Sequence, residues 1–138
     1  MANLFYRKGK VKLADRTIDY VNDTIKVALV TSSYTPAHTH EFFSDVTNEV
    51  TGTGYTAGGA TLGTKAIAED TSNNRVKYTA ANPSWSTSTI TARAAVIYKS
   101  TGTASTSALI GYVDFGSDQT STSGTFAVQW DSNGVAYW

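Results

Sequence analysis

Two runs decide the fold: Thr89-Ile90-Thr91-Ala92-Arg93-Ala94-Ala95-Val96-Ile97-Tyr98 and, after a polar stretch, Ala108-Leu109-Ile110-Gly111-Tyr112-Val113-Asp114-Phe115. Side chains alternate sides along an extended chain, so Ile90, Ala92, Ala94, Val96 and Tyr98 are predicted to share one face. Leu109, Val113 and Phe115 do the same in the second run. Ile97 and Ile110 point the other way, which predicts a second face that is partly covered. Ser100 to Ser107, between the runs, is small and polar and cannot build a core. Two long antiparallel strands at the centre of a sheet follow from this pattern.

Working outward, Thr24 to Thr31 alternates as a strand, with Ile25, Val27 and Leu29 on one side and Lys26, Ala28 and Val30 on the other. Pro36 opens a loop, and His40 to Val46 fits one or two helical turns anchored by Phe42, Phe43 and Val46. Leu62 to Ala68 and Arg75 to Ala80 read as partner strands around the turn residues Asp70 to Asn74, with Val76 and Tyr78 inward. Pro83 marks a strand start or an edge. Gly116 to Gly124 reads as a polar linker, followed by a strand from Thr125 to Trp130. Asn133-Gly134 is a strong hairpin signal that would fold Val135 to Trp138 back beside Trp130. Residues 1–19 form an N-terminal arm or short helix in which Val11, Leu13 and Ile18 are the apolar positions. The prediction is one all-β domain over residues 1–138, an antiparallel β-sandwich, with a jelly roll as one arrangement of it.

Composition narrows the function. Charged residues are only 16% of the chain, against a usual quarter or so. Serine and threonine fill the gap, and threonine suits the solvated face of a sheet. Lysine plus arginine balance aspartate plus glutamate at 11 each, so no global attraction to nucleic acid or to an anionic membrane is expected. Cysteine is absent, which removes disulfides, thiolate zinc sites and cysteine nucleophiles. No stretch has the length of a signal-peptide core or a membrane span.

Motifs for chemistry are weak. His38, His40 and a carboxylate from Glu41 or Asp45 have metal-capable side chains, but these are the only two histidines and no metal site is expected. Gly52-Thr53-Gly54-Tyr55-Thr56-Ala57-Gly58 lacks the glycine spacing of a dinucleotide loop and the Lys-Ser or Lys-Thr of a Walker loop. Its glycines predict tight turns, bulges or close approach of another chain. No Gly-Xaa-Ser-Xaa-Gly and no carboxylate pair in a pKa-shifting environment is evident, so no catalytic residue and no cofactor is assigned. Tyr55, Trp85, Tyr98, Tyr112, Trp130, Tyr137 and Trp138 are expected mainly in the core or a subunit interface. Stacking of exposed rings on sugars is the alternative.

Several stretches taken together resemble a family of small structural proteins of tailed-bacteriophage virions. They are Asp23 to Leu29, Glu49-Val50 with Gly52 to Gly59, Trp85-Ser86 with Thr89 to Tyr98, Leu109 to Gly116, and Trp130 with Gly134. The set covers most of the chain from about Thr17, whereas the basic start, Arg7 to Lys12, has no counterpart in it. The resemblance implies a capsid decoration (cement) protein or another head or tail component, made in the host cytoplasm and carried on the virion surface. Its partners would be the major capsid protein and copies of itself, a trimer being the first arrangement to test. Candidate partner contacts are Arg7, Lys8, Lys10 and Lys12 in the basic segment and Gly54, Tyr55, Gly58 and Gly59 in the glycine loop. Tyr137 and Trp138 are candidates for a subunit interface.

Overall fold

A computed structural model describes residues 2–138 of the protein. In chain order its elements are β1 (Ala2–Phe5), α1 (Arg7–Ala14), β2 (Ile25–Val30), β3 (Ala60–Thr61), β4 (Ala66–Asp70), β5 (Arg75–Thr79), β6 (Ser84–Lys99), β7 (Leu109–Ala127) and β8 (Ala136–Tyr137). These strands form two antiparallel sheets, ordered β1-β7-β6-β2-β3 and β4-β5-β8. The smaller sheet packs on one face of the larger, giving the all-β sandwich with a short helix that the pattern predicts.

The long hairpin β6–β7 is the frame. Pro83 sits just before β6, where its missing N–H costs no ladder bond. β7 runs on through Gly116 to Gly124, so the predicted polar linker is strand. Both faces there are solvated for much of the length, and threonine and serine suit such a surface. The extra length is paired: Ile90 faces Ser121, Thr91 faces Thr120 and Ala92 faces Gln119.

The register of this pair breaks at several points, including between Ala92 and Ala94 and between Ile97 and Tyr98. The first of these moves the following side chains of β6 to the opposite face, and the second does so along β7. Ile90 and Ala92 therefore share a core with Ala95 and Ile97, while Ala94, Val96 and Tyr98 belong to the other. Simple alternation placed all five predicted positions together, and the bulge overturns that. Leu109 and Val113 are parted in the same way, into the second and first cores respectively.

The first core lies between the sheets. Ile25, Val27 and Leu29 of β2 meet Tyr78 of β5 and Ala136 of β8 there, with Ile18 and Tyr20 beneath. Tyr20 and Tyr78 pack edge to face with centroids 5.1 Å apart, a geometry favoured by the ring quadrupoles. The second core covers the back of the large sheet with Tyr6, Tyr34, Phe43 and Val46. Phe43 heads a single 3-10 turn, Phe43–Asp45, and stacks on Tyr98 at 4.2 Å. Of the three expected anchors Phe43 and Val46 pack on this core, whereas Phe42 lies outside it beneath Lys12.

Of the predicted N-terminal arm or short helix, Arg7–Ala14 is the helix, while Ala2–Phe5 before it joins the sheet. β1 pairs with β7 from Ala2↔Asp114 to Phe5↔Gly111. α1 follows at once and lies against β7 through Gly9, which is buried. A Cβ on Gly9 would sit 2.5 Å from the Leu109 carbonyl oxygen, closer than non-bonded atoms come. At the other end, Asp131 and Gly134 form the tight bridge expected of Asn133-Gly134. The segment beyond it, however, pairs with β5, Lys77↔Tyr137 and Tyr78↔Ala136, and does not return beside Trp130.

Candidate functional site

The basic segment is spread around α1. Lys8 and Lys12 both donate to Glu41, at 2.5 and 2.9 Å. The two ammonium groups hold the Glu41 carboxyl below the usual carboxylate range, Lys8 contributing more. Lys12 also lies over the Phe42 ring at 4.2 Å. Arg7 is exposed. Glu41, named above only as a metal candidate, is thus the counter-ion of the helix. His40 Nδ1 is 3.0 Å from the Tyr34 hydroxyl, which in turn contacts the buried Tyr6 hydroxyl at 2.8 Å. Asp45 accepts the Glu41 and Phe42 N–H groups, which depress its pKa. Of the metal-capable side chains here, His40, Glu41 and Asp45 are therefore engaged elsewhere, and His38 is exposed.

Lys10 leads to a different place. Its ammonium lies over the rings of Phe5 and Trp138, at 5.7 and 5.9 Å. Trp138 and Val76 exchange backbone hydrogen bonds of 3.0 and 2.9 Å, and the indole N–H donates to the Tyr78 hydroxyl at 3.2 Å. Arg75 stacks on Tyr137 at 3.9 Å and also donates to Asp70. Of the predicted contacts, then, Lys10, Tyr137 and Trp138 gather at the small sheet, while Lys8 and Lys12 turn toward Glu41.

The small sheet carries the densest group of exposed large apolar side chains: Ile67 at 51%, Val76 at 38%, Tyr137 at 37% and Trp138 at 45%. Directly opposed residues of antiparallel strands share a face. Ile67 is opposite Tyr78, so Ile67 and, two residues from Tyr78, Val76 lie on the core-facing side. They overhang the core, and Val76, predicted inward, reaches solvent for that reason. An open cleft of about 430 Å³ lies between Val76, Trp138, Asp70 and Arg75.

The glycine loop lies over its own sheet. Gly54, Gly58 and Gly59 have φ of +83°, +93° and +82°, a region that glycine enters at no steric cost. A Cβ on Gly59 would run into the Val27 carbonyl, and one on Gly54 would meet Ser88, so neither position has room for a side chain. Tyr55 turns inward: its hydroxyl accepts the Leu29 N–H at 3.0 Å, and its ring packs against Trp85. Beneath the loop, Glu49 accepts the Gly58 N–H at 3.0 and 3.1 Å. Burial raises the Glu49 pKa, an effect partly offset by that N–H and by Lys26. The Tyr98 hydroxyl donates to the Gly58 carbonyl at 2.6 Å, and burial pushes its pKa up to about 12. An open cleft of about 300 Å³ beside Glu49 is walled by Phe43, Tyr98 and Lys26. Sequence reasoning missed Glu49 and Lys26 because nothing in their spacing brings them together; the cleft they both line exists only once the loop has folded onto β2.

Among the described residues no group of three histidine, aspartate or glutamate side chains is placed to hold a metal ion. No helix of the described residues is long and apolar enough to cross a membrane. The chain matches no protein-family model, no curated protein and no solved structure.

Proposed function

We propose that the protein is a structural component of a tailed-bacteriophage virion, a capsid decoration (cement) protein that binds the major capsid protein as a homo-oligomer. The resemblance of the ordered motifs described above motivates this reading. The observation that carries it in the structure is the apolar overhang of the small sheet, where Ile67, Val76 and Trp138 are exposed on adjacent strands. Large exposed apolar groups gathered in one place mark surfaces that are covered by other macromolecules. A cement protein gains its free energy from such complementarity repeated over many sites, with avidity from linked copies.

Image reconstruction of the assembled particle tests it. The expected result is density for the chain on the head exterior, at a copy number set by the shell's symmetry. Shedding of the protein would be accompanied by a fall in the temperature at which the shell opens. Density confined to the tail, or none, overturns the decoration role.

A second reading has its own observation. Trp138 lines a cleft that also contains Asp70 and Arg75, a ring face beside polar groups of the kind that suits a sugar. Under this reading the protein is a tail-associated module that binds host glycan. Saturable binding of purified protein to host polysaccharide, lost in Trp138→Ala, would favour it over decoration.

A further inference from the structure

The free edge of the small sheet has a property beyond its exposure. β4 is the terminal strand of the order β4-β5-β8, so alternate N–H and C=O groups along it have no strand to pair with. Ala66, Ile67, Ala68 and Glu69 are all exposed. Exposed edges of this kind are templates for pairing with another strand. With Lys65, the segment reads Lys65-Ala66-Ile67-Ala68-Glu69, which is complementary to itself when reversed.

We infer that β4 is a self-association edge, on which a second copy of this chain docks antiparallel about a two-fold axis through Ile67. In that register Lys65 faces Glu69 of the second copy, Ala66 faces Ala68, and Ile67 faces Ile67. The ion pair and the alanine pair each occur twice by symmetry, as an isologous interface requires. A two-fold axis perpendicular to the sheet keeps the core-facing sides of both copies on one side, so the opposed residues share a face as cross-strand pairs must. The two small sheets become one six-stranded sheet.

The charges are available for this. Glu69 makes no ion pair among the described residues. Lys65 donates to the Asp23 carbonyl, which uses one of its three ammonium donors. The Asp23 carboxylate is already paired with Lys99 at 3.0 Å. Charges flanking an apolar edge ordinarily repel an incoming strand. Here their order makes them attract a copy in one register and disfavour the others, which is how charge confers specificity. The inference rests on the homo-oligomer part of the function proposed above and is independent of the virion part.

Sedimentation equilibrium of the full chain, with charge-swapped variants, tests it. The wild type is expected to be a dimer. Glu69→Lys, which sets lysine against lysine twice, should weaken it at least about tenfold, since two cross-strand pairs change from attraction to repulsion. Lys65→Glu combined with Glu69→Lys should restore the dimer, and mixing the two single variants should give mixed dimers. Because Lys65→Glu also loses the Asp23 contact, a second arm uses a site that leaves it intact. The chain has no cysteine, so Ile67→Cys offers one thiol per copy. Opposed positions lie about 4.5–5.5 Å apart at Cα, within disulfide range. Ile67→Cys should cross-link on mild oxidation and Val11→Cys, exposed on α1, should not. A wild type that stays monomeric overturns the inference together with the homo-oligomer reading. An oligomer indifferent to Glu69→Lys, with Ile67→Cys cross-linking no better than Val11→Cys, overturns the edge pairing and leaves that reading standing.

Discussion

Ser88 and Ser121 face each other across the β6–β7 ribbon with their hydroxyl oxygens 2.9 Å apart, both buried. Ser88 Oγ also lies 3.0 Å from the Trp85 and Gly124 carbonyls, and Ser121 Oγ donates to the Ser88 carbonyl. The register breaks on both sides of Ser88, which leaves carbonyls that the regular ladder would have satisfied. Each hydroxyl has one proton: Ser121 gives its own to the Ser88 carbonyl, and Ser88 serves one of its neighbouring acceptors at a time.

Ser88→Ala is therefore expected to cost about 1–3 kcal/mol, because a buried acceptor loses its donor. Thr91→Ala is the contrast. Thr91 and Thr120 also approach hydroxyl to hydroxyl, at 3.2 Å, but in solvent. Its loss should stay within about 0.5 kcal/mol. Urea unfolding of the two variants decides whether burial or the contact itself sets the cost, and equal losses would refute the assignment.

Gly9 and Gly63 make a second pair of opposites. Gly9→Ala drives a methyl group into the Leu109 carbonyl and the Ile110 backbone, neither of which can yield without moving β7. A loss of about 1–3 kcal/mol is expected from overpacking, despite alanine's better helix propensity. At Gly63 a methyl group would meet nothing within 4 Å, and the backbone has no positive φ. Gly63→Ala should be neutral or stabilise by about 0.4–1 kcal/mol through the unfolded chain. Thermal unfolding followed by circular dichroism separates the two, and a neutral Gly9→Ala would mean that α1 does not sit on β7.

What the sequence made legible here was local. β2, the turn from Asp70 to Asn74 and the start of β6 after Pro83 depend on alternation and on turn residues within a few positions of one another. The bulge between Ala92 and Ala94 depends on where β7 settles across the ladder, so strict alternation misassigned Ala94, Val96 and Tyr98. Gly116 to Gly124 has the polarity of a loop, but serine and threonine suit a solvated ribbon equally well. The close approach at Gly9 involves a partner about a hundred positions away in the chain. Of the candidate contacts, Lys10 and Trp138 were singled out separately, and only the pairing of β8 with β5 brings them together.

Glu49 gives a pH dependence of unusual sign. Burial holds its carboxyl above the usual range, so the folded chain keeps this proton more tightly than the unfolded chain does. The neutral form's contribution is present below the unfolded value of about 4.3 and is lost as pH rises through the higher folded value. Glu41 and Asp45 behave oppositely: their depressed values stabilise above the unfolded pKa, and that is lost as acid protonates them. Glu49→Gln stays neutral at every pH. The stability difference between variant and wild type should therefore shift in the variant's favour between about pH 4 and pH 7, whatever hydrogen bond is lost equally at both. Denaturant titrations at the two values measure it, and a flat difference would show that the carboxyl is solvated.

The Lys10–Trp138 contact ties α1 to β8. An ammonium over an indole face at a partly exposed site contributes about 0.5–1 kcal/mol, and the centroid distance of 5.9 Å lies near the outer limit of that interaction. Trp138→Ala removes more than this contact, since the ring also packs edge to face on Phe5 at 6.3 Å and donates to the Tyr78 hydroxyl. The single-variant loss is expected at about 1–2 kcal/mol, held down by the ring's 45% exposure. Lys10→Ala alone should cost less, because its stem is only partly buried. The cycle through the double variant isolates the pair. A coupling of about 0.5 kcal/mol, unchanged when Lys8 and Lys12 are replaced, would mark Lys10 as the lysine of α1 that secures the small sheet. Coupling that vanishes would leave Trp138 held by Phe5, Tyr78 and its backbone bonds to Val76 alone.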